Sequence, residues 1–125
     1  MANKMNTVVW FEIPVKDLDR AKAFYAHVLD VKFTDNEMGP MKMAFFPMTE
    51  GLSGATGALI KAAGRSPSKN GVVLYFYVKD IPAALDKIKA KGGKVLTTKT
   101  AIGEWGFMTT FTDSEGNTLA LHSPE

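Results

Sequence analysis

Two stretches of this chain carry the same order of apolar and polar positions. Val8-Val9-Trp10-Phe11-Glu12-Ile13 is a strand-like apolar run that leads through Pro14 into Val15-Lys16-Asp17. Val72-Val73-Leu74-Tyr75-Phe76-Tyr77 leads in the same way into Val78-Lys79-Asp80, 63 residues later. Each triplet precedes an amphipathic helix pattern. After Asp17, a good N-cap residue, Leu18, Ala21, Phe24, Tyr25, Val28 and Leu29 fall on one helical face. After Asp80, with Pro82 tolerated in the first turn, Ile81, Ala84, Leu85 and Ile88 do the same, and Gly92-Gly93 ends the helix.

Three further strands are expected in each half. In the first they span residues 31–34, 43–48 and 56–61, and in the second residues 94–97, 107–112 and 118–122. Asp113-Ser114-Glu115-Gly116-Asn117 is the tight turn into the last strand. The pattern predicts an α+β fold of two tandem βαβββ modules, about residues 7–61 and 72–123, within one domain covering residues 1–125. Between them, residues 62–71 form a polar linker rich in turn formers.

Composition narrows the function classes. At 125 residues and 46% hydrophobic, the chain suits one globular domain. No apolar run approaches the ~18–20 residues that span a bilayer, so no membrane partner is expected. Residues 1–6 lack the apolar core of a secretory signal. There is no cysteine, which removes disulfides, thiolate catalysis and Cys-based zinc sites and fits a cytoplasmic location. The net charge of +2 is spread among both signs. Lys87, Lys89, Lys91 and Lys94 follow a helix end, where they complement its dipole. No groove-reading motif accompanies them, so no nucleic-acid partner is expected.

Phe11-Glu12-Ile13-Pro14-Val15-Lys16-Asp17-Leu18-Asp19-Arg20-Ala21 with Phe24-Tyr25, and in the second half Val78-Lys79-Asp80, Gly92-Gly93 and Asp113 through Asn117, make the chain resemble the vicinal oxygen chelate superfamily. That superfamily contains glyoxalase I, extradiol dioxygenases, fosfomycin-resistance enzymes and bleomycin-resistance proteins. The resemblance covers almost the whole chain. It implies paired modules whose sheets curl around a shared cavity, and a homodimer that closes the open sheet edges. It also implies His, Glu or Gln ligands for a divalent cation on the first and last strands of each module. Counting from Asp17 and from Gly116, with the 63-residue lag, those positions are Trp10, Gly57, Val73 and Ala120. None is a suitable donor, so no metal and no cofactor is expected.

Strand alternation then sends Glu12 to the cavity beside Trp10, Tyr75 and Tyr77 beside Val73, and Thr118 and His122 beside Ala120. Val9, Phe11, Ile13, Val72, Leu74, Phe76 and Val78 are left for the core. Trp10, Tyr75, Tyr77 and Thr118 are candidate ligand-binding residues: rings for stacking with few polar groups suit a flat small molecule. Glu12 and His122 are candidate catalytic residues, as an acid–base pair or a shifted metal site. Each has a plainer alternative: a solvated or ion-paired Glu12, a hydrogen-bonded rim His122, tyrosines that fill a narrow groove. Trp105 and Glu104 could line the mouth or pack, and Met38, Met41, Met43 and Met48 could form an adaptable wall or fill the core. Three functions stay open: a metal-free protein that sequesters an aromatic or amphipathic ligand, a glyoxalase-like lyase or isomerase or dioxygenase relative, and an accessory module without chemistry.

Overall fold

The computed structural model describes residues 6–125. The expectations for the extreme N-terminus, and for the Met38 side chain, fall outside what it describes. The first module runs β1 (Trp10–Pro14), α1 (Leu18–Leu29), β2 (Thr34–Met38), β3 (Met41–Phe45), β4 (Thr56–Lys61). The second runs β5 (Tyr75–Tyr77), α2 (Ile81–Ala90), β6 (Lys94–Val95), β7 (Thr100–Ala101), a 3-10 turn (Gly103–Trp105), β8 (Phe107–Thr112) and β9 (Thr118–Ser123). Each half builds its own sheet, in the orders β1-β4-β3-β2 and β5-β9-β8-β6, with β7 also on β8. In both, the first strand lies parallel to the last.

Both helices start as the sequence predicts. Asp17 accepts from the Arg20 amide and Asp80 from the Ala83 amide, each at 3.0 Å, so both helix N-termini are capped by a carboxylate. The buried faces join in a single core. Phe76 of the second module packs 5.9 Å from Phe11, 5.9 Å from Tyr25 and 5.8 Å from Phe46 of the first, centroid to centroid. Such pairs add about 0.5–1.5 kcal/mol each beyond area burial, which ties the modules to one another.

A polar clamp completes the joint. Glu115, fully buried, accepts from the Lys16 and Asp17 amides at 2.9 and 2.8 Å and from Arg20 Nε at 2.7 Å. Burial alone would raise its carboxyl pKa. The Arg20 hydrogen bond, followed by those from the Asp17 amide, the Ser114 hydroxyl and the Lys16 amide, outweighs it and holds the pKa at about 2. Beside it Tyr25 donates to Asp113 at 2.5 Å, and burial together with the Asp113 charge pushes the phenol well above its usual range. Asn117 donates to the Pro14 carbonyl at 2.8 Å. The turn that the sequence marks as a hairpin connection is thus also the anchor of the first module's helix entry.

Several boundaries differ from expectation. β1 begins at Trp10, because its partner β4 begins opposite it at Thr56, and Val8 and Val9 are left exposed. Residues 31–33 are not a strand: Asp30 closes α1 in the left-handed region at φ 54°, and Val31 and Phe33 plug the core from a loop. β3 stops at Phe45, one residue before the buried Phe46. β5 is three residues long, and Val72, expected in the core, is 89% exposed. β6 keeps two residues, and β7 with the 3-10 turn fills the span that the sequence left unassigned.

Gly57 requires a correction. Glu12 pairs with Ala58 as Tyr75 pairs with Ala120, so the repeat lag falls from 63 residues in the first strand to 62 in the last. Backbone bonds from Val15 to Ile60 and from Val78 to His122 repeat the same offset. Gly57 therefore lies under Phe11 on the core side, where an added Cβ would collide with the Phe11 ring at 2.7 Å. The position matching Ala120 is Ala58.

Candidate functional site

β1 is an edge strand of the first sheet. Along it, between the modules, runs a groove of about 370 Å³. Residues 66–74 of the linker and second module form its other bank, and the start of β9 closes its floor. Val8, Trp10, Val72 and Leu74 supply apolar surface, and Ser66, Ser68, Asn70 and Thr118 supply neutral polar groups. The linker bank is fastened to the fold. The Ser68 amide donates to Asn117 at 2.9 Å, and the Thr118 amide donates to the Ser68 carbonyl at 3.2 Å.

Trp10 stands edge-on to Phe45, centroids 5.5 Å apart, which fixes the indole while leaving it 37% exposed. Its Nε1 points at Glu12 Oε2 at 3.4 Å. The other Glu12 oxygen accepts from Arg65 Nη2 at 3.0 Å. Arg65 sits in the linker turn; the sequence shows it as a basic residue, but nothing in the chain's pattern pairs it with Glu12 across 53 positions. Ser66, Ser68 and Asn70 were likewise invisible as site residues, because linker polarity reads the same whether it faces solvent or a groove, and Val8 read only as part of an apolar strand run.

The structure brings Trp10, Glu12 and Thr118 together in this groove. It places the other candidates elsewhere. Tyr75 and Tyr77 stand on the open face of the second sheet, 56% and 64% exposed. Tyr77 borders a separate cavity of about 390 Å³ between the end of α1 and the start of α2, beside Asp30, Lys79 and Lys87. His122 pairs with Met108 and Tyr77 on that open face, and its Nε2 lies 2.5 Å from the Trp105 carbonyl. That contact makes Nε2 the protonated nitrogen and His122 the tether of the 3-10 turn. Trp105 itself is 71% exposed, so it neither packs nor lines the groove. Glu12 and His122 have separate partners and share neither cavity. Met43 is buried with Ala58 and Ile60, and Met41 packs against them, so these methionines fill a small second core; Met48 is exposed.

A model of the Glyoxalase/Bleomycin resistance protein/Dioxygenase superfamily matches residues 7–121. The chain belongs to that superfamily. A glyoxylase-like domain-containing protein from Didymella fabae is 30% identical over 117 residues, 88% of each chain. Glyoxalase I from Zea mays superposes with a TM-score of 0.73 at 18% identity, over 92% of this chain and 45% of the maize chain. This chain thus spans less than half of that enzyme. An antibiotic binding protein from Streptomyces sp. CB03234 superposes with a TM-score of 0.70 at 21% identity over 99% of this chain and all of its own.

The superfamily's divalent cation can be tested against the side chains present. With the register corrected, the four positions at which the resemblance leads one to expect ligands hold Trp10, Ala58, Val73 and Ala120. An indole N–H and three aliphatic side chains offer no lone pair to a hard or borderline cation. Among the described residues no three His, Cys, Asp or Glu side chains gather elsewhere. This donor set does not fit the metal. Among the described residues, no helix is long and apolar enough to cross a membrane.

Proposed function

We propose that the protein binds a small aromatic or amphipathic molecule in the β1 groove and holds it without a divalent metal. The observation that carries this reading is the groove itself: a fixed, half-open indole, apolar side chains from both modules and neutral polar groups on an anchored bank. That composition suits stacking with a few orienting hydrogen bonds. The Streptomyces neighbour, an antibiotic binding protein, supports small-molecule binding as a use of this fold. An acid–base role for Glu12 with His122 has less support within one chain, since each is committed to its own partner. A cysteine-free chain of this kind would work in the cytoplasm.

The protein is further proposed to act as a homodimer. Tyr75 and Tyr77 are exposed aromatic side chains on the open face of the second sheet, Trp105 of the 3-10 turn is exposed too, and a second copy would bury these rings. The binding reading is tested in a Trp105→Phe background, where Trp10 is the remaining tryptophan. Titration with flat two- and three-ring aromatic compounds should quench Trp10 saturably. Absence of saturable quenching across such a panel would overturn the reading.

A further inference from the structure

Among the described residues that line the β1 groove, Glu12 is the one ionisable side chain. Its carboxylate belongs to a strand held on one side by β4, whereas its counter-ion comes from a long side chain in the linker. Arg65 does not line the groove; it reaches Glu12 through a single nitrogen, and its side chain is 39% exposed. A partly exposed pair of this kind contributes little and is screened by salt, so exchanging its cation costs little. Arg65 is also poorly held at its own end. Its turn is closed by a bond from its amide to the Ala62 carbonyl at 3.2 Å, whereas the firm anchor points of the linker lie at Ser68.

From this we infer that the groove selects aromatic or amphipathic ligands that carry a cationic nitrogen, and that this nitrogen takes the place of Arg65 on Glu12. The inference rests on the binding function proposed above and names its ligand class. Trp10 and Glu12 are adjacent on one strand face, with the indole edge directed at the carboxylate. A ring stacked on Trp10 therefore carries a short aminoalkyl or amidine substituent to the Glu12 oxygens. An anionic ligand meets the opposite situation: it would lie beside the Glu12 charge while its attraction to Arg65 comes from outside the lining. Ser66, Ser68, Asn70 and Thr118 are neutral and leave the sign of selection to Glu12.

Three naphthalene probes of equal size test this by calorimetry or ligand-observed NMR: 1-naphthylmethylamine, 1-naphthalenemethanol and 1-naphthoate. The cation should bind about tenfold more tightly than the neutral alcohol at low salt, as a charge-assisted hydrogen bond implies, and the anion more weakly than either. Glu12→Gln should abolish the roughly tenfold preference, bringing the cation to the alcohol's affinity in the same variant, with circular dichroism reporting that the variant is folded. Arg65→Ala should tighten the cation roughly threefold by removing its competitor. Equal binding of cation and alcohol, unaffected by Glu12→Gln, would overturn the inference and leave the groove as a neutral aromatic site. Tightest binding of the anion, lost in Arg65→Ala, would overturn it in favour of an arginine anchor. Failure of all three probes to bind would overturn both the inference and the function on which it rests.

Discussion

Glu115→Gln removes one charge from the joint between the modules and changes little else in shape. A carboxyl held at about 2 against an ordinary 4.5 stabilises the folded chain by roughly 3 kcal/mol at neutral pH. Because the folded-state pKa lies below the unfolded one, that contribution is complete above about pH 5 and disappears as pH falls toward 2. It amounts to roughly 1.4 kcal/mol at pH 3 and roughly 0.4 kcal/mol at pH 2. The glutamine oxygen can still accept from the Lys16 or Asp17 amide, but its NH2 group faces the Arg20 guanidinium, donor against donor. Urea unfolding of both proteins at pH 7 and pH 3 measures the difference. The wild type should be more stable by about 3 kcal/mol at pH 7 and by less than half of that at pH 3. A gap that is the same at both pH values, or smaller than about 1 kcal/mol at pH 7, would refute the assignment of the clamp to Glu115.

Other parts of the account have their own checks. Gly93→Ala would bring a Cβ within 2.6 Å of Ile88 Cγ2 and 2.7 Å of the Thr112 carbonyl, and should cost about 1–3 kcal/mol in denaturant unfolding. A cost near zero would mean that the turn after α2 has room to give. Replacing Tyr75 and Tyr77 together by Ser should convert a dimer to a monomer in light scattering at micromolar concentration, with the fold intact by circular dichroism. A wild-type monomer at that concentration would defeat the proposed pairing.

The repeat was legible because it is written in strong signals: two Asp N-caps, two helical stripes and two apolar runs that precede them. Helix starts are local chemistry, and both fall where Asp17 and Asp80 put them. Strand ends are not local. β1 begins opposite the first residue of β4, whereas β5 begins at Tyr75 opposite Ala120, two residues into β9, and no pattern within Val8-Val9 or Val72-Val73 reports either start. The missing residue in the first module shifted Gly57 to the core side, since one position changes the face in a period of two. Gly57 also looked neutral as a site residue, although its lack of a Cβ is what admits the Phe11 ring. At the groove, Trp10, Glu12 and Thr118 were readable from alternation along their strands. Arg65 was not, because it arrives from a turn with no periodicity. Alternation put Tyr75, Tyr77 and His122 on one face, but it did not show that this face lies apart from the groove.

Metal-independent binding in the β1 groove is the claim on which the rest turns. Its most direct test is the affinity of one neutral aromatic probe, 1-naphthalenemethanol, for protein before and after exhaustive dialysis against chelator, with elemental analysis of both samples. The account predicts the same dissociation constant in the two samples and well under one equivalent of any divalent metal in the first. Stoichiometric metal in the first sample, with binding lost on dialysis and restored by one equivalent of nickel, zinc, iron or manganese, would contradict it.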